Sequence, residues 1–133
     1  MMTVFSRFSA ILCLLAAVAS CTGSKGTQSA NPNTIILGTW IRSSEEDTKE
    51  GGQAYRRPEH AFPPSRGRSS FTFHPNGDCV VKSIAPTDGI LEQKGKWLVH
   101  SNKLEIAPNE KTTWKFAIHL IVPELLILFP QTP

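Results

Sequence analysis

Turn signals recur at short intervals through the second half of this chain, and they constrain the fold more than anything else in it. The most specific is His74-Pro75-Asn76-Gly77. Asn-Gly after proline, between two runs rich in β-branched and aromatic residues, calls for a tight hairpin, because glycine tolerates the positive φ that such turns demand. If Phe73 lies opposite Cys79 and Phe71 opposite Val81 in that hairpin, these four share an inner face. Pro86-Thr87-Asp88-Gly89, Ser101-Asn102, Pro108-Asn109-Glu110 and Pro123-Glu124 punctuate the rest. Between them, Gly95, Trp97 and Val99 alternate with Lys94, Lys96 and His100, and Leu104 and Ile106 with Lys103 and Glu105. Trp114, Phe116, Ile118 and Leu120 alternate with Lys115 and His119. Period-two patterning of this kind makes half-buried strands. Leu125 to Phe129 is apolar on both faces, which predicts cover on both sides, from Ile35 to Leu37 or from a second copy of the protein.

The first strand is expected at Ile35 to Ile41, and the domain begins near Thr34. Ser43 to Arg68 then reads as one long loop, acidic at Glu45, Glu46, Asp47 and Glu50 and basic at Arg56, Arg57, Arg66 and Arg68, with Pro58, Pro63 and Pro64 excluding most regular structure. Connections of that length in a compact domain are usually functional or disordered. Helical periodicity is almost absent. The expectation is an all-β meander of about seven strands, closing into a small barrel or a sandwich; a barrel leaves no exposed edges.

The N-terminal stretch has a different character. Met1 to Arg7 carry one positive charge and Phe8 to Ala19 are apolar over about a dozen residues, short of the ~20 a membrane-spanning helix needs. This is the pattern of a secretory signal peptide. Its end, Val18-Ala19-Ser20-Cys21, resembles the lipobox of bacterial lipoproteins. The resemblance implies a diacylglyceryl thioether on Cys21, cleavage after Ser20 and acylation of the new amino terminus; several acyl chains hold a protein to a membrane stably where one does not. It divides the chain into a signal peptide at 1–20, a lipidated cysteine and flexible tether at 21–33, and a domain at 34–130. Thr22 follows the cysteine where an aspartate would favour inner-membrane retention, so the outer membrane of the cell envelope is the expected location.

Removing Met1 to Ser20 leaves 113 residues and lowers the net charge from +3 to +2, because Arg7 is the only charge removed. A balance so near neutrality gives no reason to expect nucleic acid as a partner. Cys13 leaves with the signal and Cys21 carries lipid, so Cys79 is a lone thiol and no internal disulfide is expected.

Gly38-Thr39-Trp40, Phe71-Thr72-Phe73 leading into Asn76-Gly77-Asp78, and Gly95-Lys96-Trp97-Leu98 before Asn102-Lys103-Leu104 resemble lipocalin-like lipoproteins of Gram-negative bacteria. The resemblance implies a small antiparallel up-and-down barrel of about seven or eight strands. It also implies Trp40 as the barrel floor and Ser43 to Arg68 as a loop folded over the open mouth. Lipocalins stack a late arginine on that tryptophan. No arginine follows Arg68 here, so the pairing is not expected in its usual form.

Binding of a small apolar or amphipathic molecule is the expected function, with an envelope interaction or structural module as the alternative. Arginine among aromatics at Tyr55, Arg56, Arg57, Phe62, Arg66 and Arg68 suits an anionic head group, since guanidinium offers a two-pronged donor, although such a run more commonly belongs to a solvated loop that balances the acids at Glu45 to Glu50 or rests on anionic lipid. Phe71, Phe73, Trp97, Trp114 and Phe116 would wall the pocket, although aromatics in a small β domain more commonly fill its core. A homodimer through 125–129 is a further expectation. Neither metal-ligand spacing nor a nucleophile elbow nor a phosphate loop occurs, so catalytic residues, cofactors and metals are not expected.

Overall fold

The computed structural model describes residues 31–132. The signal peptide, Cys21 and the tether up to Ala30 lie outside the described residues. The chain enters through one helical turn, α1 (Pro32–Ile35), started by the Asn31 side chain accepting from the Asn33 N–H. Proline at the first helical position suits such a start, where its missing N–H is no loss. The turn claims the head of the strand expected at Ile35, and β1 (Gly38–Arg42) begins only after it.

Seven strands follow: β2 (Gln53–Arg56), β3 (Ser70–Phe73), β4 (Asp78–Ile84), β5 (Ile90–His100), β6 (Lys103–Asn109), β7 (Thr112–Val122) and β8 (Leu125–Pro130). All pairings are antiparallel and the sheet closes on itself in the order β1-β2-β8-β7-β6-β5-β4-β3. The chain is therefore all-β, an eight-stranded closed antiparallel barrel. Strands β3 to β8 form the expected up-and-down meander, while the first hairpin is inserted with β1 against β3 and β2 against β8. The connection from Arg57 to Ser69 must then cross β1.

The register of the Asn76-Gly77 hairpin is the expected one: Phe73 pairs with Cys79 and Phe71 with Val81, all four buried. Gly77 takes φ 87° at the turn. Along β7 the alternation slips. A bulge between Ile118 and Leu120 turns Ile121 toward the core and leaves Leu120 at the surface, against the simple period-two reading. One extra residue in one strand is enough to swap faces.

The long segment 43–68 is not one loop. It holds a 3-10 turn at Ser44–Glu46 and then β2, whose Tyr55 and Leu126 pair across the seam that would otherwise be open. Four residues with one large apolar side chain make a weak strand signal; closure of the sheet, with edge groups that need partners, supplies the rest.

Candidate functional site

At one end of the barrel, here the floor, lie α1 and the turns 74–77, 101–102 and 123–124. At the other end, the mouth, lie segment 43–52 and the turns 85–89 and 110–111.

Trp40 is fully buried above the floor, and its indole N–H donates to the Ile36 carbonyl at 2.8 Å. Arg57 closes the floor beneath it. Its guanidinium lies 3.7 Å from the centre of the Trp40 ring and donates to Ile35 O (2.6 Å), Leu37 O (2.8 Å) and Pro123 O (2.9 Å). One planar donor fork ties the entering chain, β2 and the last hairpin together, a geometry lysine cannot copy. Burial draws the Arg57 pKa down from its usual value. Gly38 has room for this: a Cβ there would lie 3.0 Å from Arg57 Nη1, on a residue with φ 97°. The arginine over the tryptophan thus arrives from the strand after the first turn rather than from late in the chain.

The acidic run and the basic run of segment 43–68 answer each other. Glu46 binds Arg56 at 2.6 Å, Glu45 binds Arg68 at 2.6 Å, and Asp47 binds Arg42. The hydrogen bonds from Arg56 and Arg68 pull the Glu46 and Glu45 carboxyls each down to about 2. Asp47 also accepts the Ala54 N–H at 3.0 Å, where β1 has ended and no backbone acceptor remains for it. Arg68 lies over Phe62 (4.8 Å), with its guanidinium also on Pro63 O and Arg42 O. These contacts bind the crossing connection to segment 44–47 and to the end of β1. Arg56, Arg57 and His60 border a recess of about 330 Å³, but Glu59 and Glu124 share it, so it is no cradle for an anion.

The interior is filled from the floor upward. Tyr55 stacks on Phe71 at 5.2 Å, and Phe71 meets Phe73 at 5.9 Å and Phe116 at 6.2 Å. Leu104, Ile106, Leu126 and Leu128 are fully buried around them. Burial raises the Tyr55 phenol to about 12, with its hydroxyl bonded to Gln53 at 3.0 Å. Eight strands can be packed by side chains alone, and this lower interior is.

Near the mouth the packing stops. β7 starts at Thr112 but β8 ends at Pro130, opposite Phe116, so β7 outruns its neighbour. The last tie is Gln131 N–H to Lys115 O at 2.8 Å. The notch opens a mostly apolar cavity of about 500 Å³ lined by Trp114, Phe116, Pro130, Gln131 and their neighbours Thr113 and Lys115. Trp114 is half-buried there, paired with Ile106 on its other side.

The residues singled out from the sequence therefore separate. Tyr55, Phe71 and Phe73 are core; Trp40, Arg57 and the half-buried Trp97 are floor; Arg56, Arg68 and Phe62 are held in the salt-bridged segment, and Arg66 is exposed on the connection. Trp114 and Phe116 meet at the apolar cavity. Pro130 and Gln131, which share it, carry no sequence signal, because their role comes from where β8 stops. The protein is a closed eight-stranded antiparallel barrel with a filled interior and an apolar notch at its rim. No known protein family, curated protein or solved structure matches it.

Proposed function

We propose that this protein is an envelope lipoprotein, held to the outer membrane through Cys21, whose barrel captures a small apolar or amphipathic molecule at its mouth. The observation that carries the reading is the apolar cavity of about 500 Å³ at Trp114 and Phe116, within the range of small-molecule sites. Trp114 presents a large apolar face that is only partly covered by the protein itself. A bound guest would complete that cover. Lys115 and Gln131 at the rim offer polar contacts to a head group.

The outer wall supports a barrel beside the membrane rather than in it. Lys82, Lys94, Lys96, Glu105 and Lys115 point outward, and charges on a lipid-facing wall cost several kcal/mol near the bilayer centre. Among the described residues no helix is long and apolar enough to cross a membrane.

A second reading, a protein-interaction module, has its own observation: the tip of the β4–β5 hairpin exposes Ile84, Leu91 and Ile90, the last by 70 %. One experiment separates the two. Native mass spectrometry of the delipidated domain from its source is expected to show a co-purifying small molecule, and N-phenyl-1-naphthylamine fluorescence is expected to rise on binding and to fall roughly tenfold in affinity in Trp114→Ala, the loss of about 1.4 kcal/mol of ring contact. A bare domain that ignores the probe, or one arriving with a protein partner, would defeat the ligand reading.

A further inference from the structure

The floor carries a second apolar feature, unrelated to the notch. Between α1 and β5 runs a groove of about 330 Å³ lined by Leu37, Pro75, Trp97 and Leu98, with Asn33 at its head. Leu98 points outward from β5 and is 58 % exposed. Trp97 lies half-buried beside it, with its indole N–H on the His74 carbonyl at 2.9 Å and its ring 5.3 Å from Phe73. Val122, 39 % exposed, and Leu120 lie on the same end of β7. An indole with its N–H satisfied and one face open, next to an exposed leucine, is the side-chain chemistry that settles at the boundary of headgroup and acyl chain.

The path of the chain says what covers this end. The described residues begin at Asn31, on the floor, ten positions after Cys21. Even fully extended, ten residues reach about 35 Å. Strands of a closed barrel tilt by ~35–45° from its axis, so the 11 residues of β5, at about 3.3 Å each, carry the wall about 28 Å from mouth to floor. The mouth therefore meets a bilayer holding Cys21 only if the tether is drawn out along most of the wall. The floor meets it at any shorter extension.

We propose that the barrel stands floor-down on the bilayer, with the Leu37–Pro75–Trp97–Leu98 groove against the lipid and the mouth turned to the aqueous side. This rests on Cys21 bearing the lipid, and the test keeps the two apart. The full-length lipidated protein is prepared as Leu98→Cys and as Ile90→Cys, each labelled with a nitrobenzoxadiazole probe. Both positions are exposed, so neither change disturbs the core, and Cys79 is buried away from the label. The proteins are incorporated into phosphatidylethanolamine–phosphatidylglycerol vesicles with or without brominated acyl chains, and floated. The expected result is co-flotation, a blue-shifted emission at position 98 that brominated lipid quenches, and an unquenched emission at 90. Co-flotation with quenching at 90, or at neither position, would overturn the orientation while leaving the anchor intact. Failure to float would remove the anchor and the orientation together.

Discussion

Arg57 is the residue whose removal tests the floor most directly. Its guanidinium makes three hydrogen bonds to carbonyls, of Ile35, Leu37 and Pro123, and one stacking contact with Trp40 at 3.7 Å. The carbonyls lie near the surface, where water regains part of each bond, so about 0.5–1 kcal/mol per bond is a fair allowance. The cation over the ring adds about 1 kcal/mol at a half-buried site. Arg57→Met should therefore cost about 3 kcal/mol. Arg57→Lys keeps the charge but reaches one carbonyl at a time, and should cost about 2 kcal/mol. In urea, with a slope of about 1.5 kcal/mol/M for a domain of this size, the methionine variant should unfold about 2 M earlier. The contact with the ring is isolated by a double-mutant cycle with Trp40→Leu, which removes the ring, and the two losses should fall short of adding by about 1 kcal/mol. A midpoint for Arg57→Met within about 0.3 M of the parent, or strict additivity in the cycle, would refute the view that this arginine locks three segments to the tryptophan.

Two other perturbations bear on the same architecture. At Gly95 a Cβ would lie 1.9 Å from the Ala107 carbonyl oxygen and 2.8 Å from Pro108 Cα, backbone atoms that cannot rotate away. Gly95→Ala is expected to cost about 3 kcal/mol and lower Tm by about 12–20 °C, against about 1 kcal/mol for Gly51→Ala, where only the φ of 96° is at issue; equal losses in calorimetry would be the contrary result. Glu46 has its folded pKa depressed to about 2 from an ordinary 4.5, so its contribution is complete above about pH 5 and disappears as the pH falls toward 2. At neutral pH Glu46→Gln should lose about 1 kcal/mol after solvent screening, and near pH 2 nothing, as read from urea midpoints; a pH-independent loss would mean that the Arg56 pair does not stabilise the fold.

Much of the barrel was legible in the residues because turns and alternation are local. Asn76-Gly77 specifies both a turn and a register, and the alternation of Gly95, Trp97 and Val99 against Leu104 and Ile106 survives into the core. The candidate site was far less legible. Aromatics at Phe71, Phe73, Trp97, Trp114 and Phe116 share one parity, and parity says inward but not how high along the axis. Trp97 and Trp114 even pair with the same residue, Ile106, yet one packs at the floor and the other at the rim notch, because strands tilt as they wind round a barrel.

Taken alone, the chain's order of residues determined a set of antiparallel strands joined by tight turns and, outside β7, their inner faces, both of which follow from near-neighbour chemistry. The residues left closure open between a barrel and a sandwich, and Trp40 at the floor was what the family resemblance implied. What only the assembled barrel decided were particular partners: β2 entering the seam beside β8, Arg57 reaching Trp40 and Pro123 at once, and the pairing of Glu46 with Arg56 and of Glu45 with Arg68. The notch belongs to that second group. It exists because two neighbouring strands end at different heights, and strand length against a neighbour is a property of the closed sheet, set by tilt and register around the whole ring.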